Sequence, residues 1–271
     1  MLHKIFRMKS VLIVAGVLLS TSLIAQQKEG MIIYERKQNM HRSISEEMKA
    51  FVPEFRTTKQ MLVFNEVSSI YKAVPEDEAP QPSTGGGGFV MRIGGSSNDE
   101  TYFNFTEGRK LSSREVLGEQ FLITDSVRKE KWKLSEETKT IAGHLCRKAS
   151  LRTKIANTTM RMSIGGGAPA GNQQTQAPQE KEVDVIAWYA EDILAPAGPE
   201  NYNGLPGVIL ELDIDNGGTV FSALEVQTKA DAKMLKEPKK GKKVTPEGFR
   251  KAVNDIMQNM GPGGMRFGGG R

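Results

Sequence analysis

A chain of 271 residues is long enough for one large domain or two small ones, and 38% hydrophobic with 25% charged residues is the content of a chain that buries a core. Wholesale disorder is excluded, yet 7% aromatics beside 28 Gly and 12 Pro imply that part of the length is spacer. The single cysteine, Cys146, excludes an intramolecular disulfide, and with three histidines in all it also excludes the usual four-ligand Cys/His zinc site.

Taken in chain order, Met1 to Ser10 carries Lys4, Arg7 and Lys9 without an acid, and Val11 to Ala25 is an uncharged run ending in a small residue. This is the pattern of a secretory leader over 1–25, too short for the ~20 apolar residues of a permanent anchor. Cleavage after Ala25 removes three positive charges from a formal net charge of +5 and leaves +2.

Short runs of period two dominate residues 26–228: 30–37, 59–65, 67–74, 100–107, 119–126, 144–154, 182–191, 207–215 and 219–228. They are rich in β-branched and aromatic residues and are punctuated by Gly, Asn, Asp or Pro, which predicts strands. Without long amphipathic helices between them, they predict an all-β domain: a curved antiparallel sheet or open half-barrel with one or two helices packed on one side. Asn65-Glu66 and Asp215-Asn216-Gly217-Gly218 are read as tight turns.

Ser43 to Phe51 is a candidate helix with Ser45 as cap and Glu46 and Glu47 in its first turn. Three Gly-rich stretches, 83–97, 163–179 and the tail 259–271, read as flexible inserts and a disordered end. Met91-Arg92, Met160-Arg161 and Met265-Arg266 echo one another ahead of their Gly runs, as low-complexity sequence or as adhesive tips. Residues 229–244 form a basic linker, and Lys229 to Lys251 holds nine Lys or Arg against three acids. Lys239, Lys240, Lys242 and Lys243 suit either a solvated connection or contact with an anionic membrane surface. Nucleic acid is disfavoured, because no aromatics are interleaved. Thr245-Pro246-Glu247 opens a C-terminal helix over 245–258, with Phe249, Val253, Ile256 and Met257 as its apolar stripe, expected to dock on the sheet.

Recognised chemistry is sparse. His41 and His144 are the histidines left after leader removal, which disfavours a Ser-His-Asp triad and any paired-His metal motif. His144 and Cys146 stand two apart on an expected strand and so share a face, but no orienting third group is visible. The poly-Gly runs lack the Lys-Ser/Thr of a phosphate loop. No catalytic residue, cofactor or metal is therefore assigned.

The most specific segment is Ala187 to Leu212, AWYAEDILAPAGPENYNGLPGVILEL. Trp188 closes a strand, Gly198-Pro199 makes a turn, and Gly204-Leu205-Pro206-Gly207 forms a rigid corner. Pro206-Gly207 fits positions two and three of a type II turn, which asks for positive φ at Gly207. With Trp132-Lys133-Leu134, residues 140–149 and the 187–189 strand, this segment resembles the GLPGLI family of exported bacterial proteins, with Val208 where Leu is usual. The resemblance implies export to the periplasm or the periplasmic face of a Gram-negative outer membrane, often near TonB-dependent receptors, with no established activity.

The expectation is a noncatalytic envelope protein whose partner is an outer-membrane TonB-dependent receptor or an apolar ligand. It is similar at the level of fold to periplasmic lipoprotein-carrier half-barrels, whose concave face holds acyl chains. The alternative is an enzyme acting on envelope material with an unrecognised site. The interior of the sheet separates these readings: an apolar groove favours carriage, a filled core an interaction module, a polar cleft with carboxylates the enzyme.

Overall fold

A computed structural model describes residues 27–44, 46, 49–74, 99–157 and 179–259. The leader, the three Met-Arg segments and nearly all of both Gly-rich inserts lie outside the described residues, as does the expected cap Ser45. Among the described residues, twelve strands form one open sheet: β1 Glu29–Asn39, β2 Phe55–Asn65, β3 Ser68–Ala73, β4 Glu100–Asn104, β5 Arg109–Val116, β6 Glu119–Ser126, β7 Lys133–Ile141, β8 His144–Asn157, β9 Gln179–Ala190, β10 Val208–Ile214, β11 Thr219–Gln227 and β12 Lys242–Val244. The spatial order is β12-β6-β5-β4-β3-β2-β1-β11-β10-β9-β8-β7. Two antiparallel meanders, β1 to β6 and β7 to β11, are joined by antiparallel pairing of β11 with β1.

This order forces curvature. β6 and β7 stand ten positions apart, about 48 Å across a flat sheet at ~4.8 Å per strand. The six residues between them, 127–132, reach only about 25 Å at full extension. The sheet must therefore curl, and the expected half-barrel is what is found.

Both signalled turns form. The Asn65 side chain accepts from the backbone N–H of Val67 and Ser68 at 2.9 and 2.7 Å, tying β2 to β3. Asp215, Asn216 and Gly217 hold φ of 61, 49 and 81°, and the Asp213 carboxylate accepts from Gly217 N–H at 2.6 Å. β5, β7 and β12 are the strands that the period-two reading did not separate. β7 is an exposed edge, so neither of its faces needs an apolar set; charges blunt it against foreign strands.

The two faces have different covers. On the inner face, the chain's own segment 191–207 fills the centre: Ile193, Ala195, Ala197 and Leu205 are buried against Leu62, Phe64, Tyr189 and Phe221. The Tyr34 hydroxyl donates to the Ile209 carbonyl at 2.5 Å beneath it. On the outer face, Met61, Val63, Ile70, Tyr102, Leu111 and Leu122 are covered by Ala230, Met234 and Leu235. Residues 229–244 are thus a strap rather than a free linker. Pro238 is buried, β12 pairs in parallel with β6, and Gly241 at φ 112° passes so close that a Cβ would lie 2.9 Å from the Gln120 carbonyl oxygen.

The C-terminal helix α1, Pro246–Asn259, docks as expected, with Phe249 edge-on to the buried Phe121 ring at 5.3 Å. Among the described residues of 43–51 no α-helix forms. The chain instead makes a 3-10 turn at Met40–Arg42, capped by the Asn39 side chain, and His41 Nε2 lies 2.7 Å from the Val52 carbonyl oxygen. A helix of nine residues is marginal without a surface to bury against, and Phe51 at the end of this stretch is 77% exposed.

Candidate functional site: a polar cleft on the inner face

Directly paired residues share a face, so the register itself maps the inner surface. One row across β2 to β6 is Phe64, Ser69, Phe103, Lys110 and Asp125; the next is Leu62, Tyr71, Thr101, Ser112 and Ile123. Beyond the apolar plug, then, the inner face is paved with hydroxyls, and Ser69, Thr101 and Ser112 are all buried. The Ser69 and Tyr71 hydroxyls have no partner, although Ser69 is 1% and Tyr71 8% exposed. Each such buried hydroxyl costs about 1 to 3 kcal/mol.

The curl brings this surface opposite β8. Phe103 and Lys110 of β4 and β5 line a cleft of about 300 Å³ together with Thr153 of β8, seven positions from β4, with Arg128 and Glu130 of the β6–β7 link and with residues 200–203. Its wall is held by definite contacts. Trp132 Nε1 donates to the Asn203 carbonyl at 3.0 Å, and the Trp132 and Tyr202 rings lie 6.3 Å apart. Asn203 Nδ2 donates to the Asn201 carbonyl, and Gly204 N–H to Pro196. Arg36 Nε donates to Glu200 at 3.4 Å. Glu200 holds φ 54°, a left-handed backbone rare outside glycine and its small polar relatives.

Charges in the cleft are mostly matched. Lys110 meets Asp125 at 2.8 Å; burial works against that carboxylate, but hydrogen bonds from Lys110 and from Ser126 N–H hold it below the usual range. Burial, reinforced by Glu200 and then Glu130, pushes the Tyr202 phenol up to about 12, so it remains a donor at neutral pH. Burial, with Glu200 second, raises the Tyr71 phenol further. The cleft lining contains no His or Cys among the described residues.

The residues singled out by sequence separate into three groups. Trp132, Gly198 and Pro199 do not line the cleft but brace its wall from behind: Trp132 donates to Asn203, Tyr202 N–H donates to Pro199 at 3.1 Å, and a Cβ on Gly198 would lie 2.5 Å from the Tyr202 carbonyl oxygen. Leu205 is buried in the plug and Pro206 is exposed. Trp188 faces away, its direct partners being Lys148 and Glu211, with Lys139 Nζ 4.4 Å from its ring centre. The type II expectation for the corner is corrected: the left-handed residue is Gly204, at φ 86°, and Gly207 is not. Gly207 is needed for closeness, since a Cβ there would lie 1.9 Å from the Ala190 carbonyl oxygen.

His144 and Cys146 do come near each other, without forming a nucleophile. His144 Nδ1 lies 2.7 Å from Asp192, while the fully buried Cys146 thiol donates to the His144 carbonyl at 3.5 Å. Burial, with Asp192 second, pushes that thiol up to about 12, the opposite of activation. No group of three metal-ligating side chains occurs among the described residues. Lys110, Arg128, Glu130 and Tyr202 were not legible as site residues; the polar alternation Lys110, Ser112, Arg114 along β5 is the signal that could have shown a polar inner face.

Residues 132–211 match a family model described as a protein of unknown function, Porph_ging. No curated protein matches the chain. Among solved structures, PNGF-II in a C2 crystal form is similar with a TM-score of 0.50 at 15% identity, covering 83% of this chain and 32% of that one. A P21 form of PNGF-II gives 0.49 at 14%, covering 83% and 33%. LprF from Mycobacterium bovis gives 0.29 at 9%, covering 84% of this chain and 96% of that one. The chain thus spans about a third of the PNGF-II chains it matches, and the likeness is one of fold alone.

Proposed function

We propose that this chain is a noncatalytic, exported envelope protein that binds a polar ligand or partner segment through the inner-face cleft. The observation that carries this reading is the division of the inner face: its apolar centre is occupied by residues 191–207, and what stays open is polar. A carrier of acyl chains needs a continuous apolar groove, which the plug removes, so the apolar-ligand expectation gives way to a polar one. The leader pattern and the GLPGLI-like corner, the latter inside the matched span, support export and an envelope setting. Association with a TonB-dependent receptor rests on that resemblance.

The enzyme alternative gains one observation, that Glu130 and Glu200 line the same cleft. Glu200 is engaged by Arg36, however, and no histidine or cysteine stands beside the pair among the described lining residues. The test is a photo-reactive amino acid placed in cells at the exposed position 201, with exposed position 107 as control. Adducts at 201 above the control support the reading; equal yields at both positions refute it.

A further inference from the structure

Resting on that binding reading, we propose that the cleft takes a neutral saccharide whose hydroxyls accept from Arg128 and Asn201 and donate to Glu130, with its ring against that of Tyr202. Three competing chemistries fit the same walls less well. An extended peptide gains affinity by adding a strand to an open edge, but β4, β5 and β8 are each paired on both sides. A polyanion needs several unmatched cations, whereas Lys110 is held by Asp125 and Lys154 by Glu180, which leaves Arg128 to offset the repulsion of Glu130 and Glu200. A fatty acyl chain meets the charges of Lys110, Arg128 and Glu130 and the plug behind them.

What remains is a wall of both charge signs with donors and acceptors interleaved. Arg128 and the Asn201 amide donate, Glu130 and Glu200 accept, and the Thr153 hydroxyl does both. Sugar hydroxyls are the ligand groups that donate and accept at every position, and the apolar face of a sugar ring suits an aromatic side chain such as Tyr202 or Phe103. Ser69 pairs directly with Phe103 of the lining, so a polar, buried layer lies beneath the cleft wall. A volume near 300 Å³ is at the lower end for small-molecule sites and matches a short oligosaccharide end rather than a long polymer.

The experiment screens the leaderless full chain on a printed array of neutral and acidic oligosaccharides, with a neutral tripeptide and palmitate titrated by calorimetry beside it. The expected result is binding to a set of neutral oligosaccharides, weakened at least tenfold in Asn201→Ala and in Glu130→Gln. Both positions are partly or fully exposed, and both variants should melt with the parent. Binding only to acidic saccharides or to the tripeptide would overturn the saccharide assignment and leave the polar-binding reading standing. Binding to palmitate alone, or to nothing, would overturn both.

Discussion

Replacing Gly207 by alanine should be among the most damaging single-methyl additions in the chain, for a reason of contact and not of φ. The added Cβ would lie 1.9 Å from the Ala190 carbonyl oxygen and 2.7 Å from its carbon, both backbone atoms at the β9 terminus. Ordinary contact begins near 3.4 Å, so about 1.5 Å must come from moving the start of β10 away from β9. That movement overpacks a site where Gly207, Val208 and Ala190 are all buried, at about 1 to 3 kcal/mol. It also stretches the Val208 N–H to Ile193 carbonyl hydrogen bond, now 3.2 Å, worth roughly 1 kcal/mol. The sum, about 2 to 4 kcal/mol, corresponds to roughly 5 to 15 °C in Tm for a domain of this size. Gly204→Ala meets nothing within 4 Å and bears only the cost of a left-handed backbone, about 1 to 2 kcal/mol. Thermal and urea unfolding of the leaderless protein and both variants decides the matter. Gly207→Ala melting with the parent, or losing less than Gly204→Ala, would refute the reasoning.

Intact-mass analysis of the exported protein should find Gln26 as the first residue; a mass retaining 1–25 would mean an anchored form. Cys146 should resist thiol reagents at pH 8 in the folded state and react on unfolding. Because its folded pKa is raised to about 12, its contribution to stability is complete below the unfolded value near 9 and is lost as pH climbs from there toward 12, which unfolding titrations against a Cys146→Ala control would show. Phe249→Ala should cost about 1 to 3 kcal/mol by uncovering Phe121, and deletion of 245–271 at least as much; an unchanged Tm would indicate that the helix does not hold the β6 edge. Reversing Lys239, Lys240, Lys242 and Lys243 to Glu should leave Tm within a few degrees, as all four are exposed. If the strap also contacts anionic lipid, the same variant loses salt-sensitive binding to anionic vesicles, and parent protein that ignores such vesicles would end that proposal.

Local pattern was enough for nine of the twelve strands, for the two tight turns and for the terminal helix, because alternation, turn residues and an N-terminal Thr-Pro-Glu are set within a few residues of chain. It failed where burial is not one-sided in the usual way. β7 is an edge with polar faces, and β5 turns Lys110 and Ser112 toward a polar interior while Leu111 meets the strap, so neither shows a clean apolar repeat. β12 is three residues whose pairing depends on β6, with Lys242 opposite Phe121 far earlier in the chain. Likewise the need for glycine at 207 was legible, but its cause was not, since the contact it permits is made by Ala190 and not by its own turn. Pairing of β11 with β1, the curl that brings 127–132 to residues 200–203, and the plug that leaves a polar cleft open are long-range events. The sequence determined which segments extend and which turn; only the tertiary structure decided which face each strand offers to what, because that depends on partners far along the chain that no local periodicity encodes.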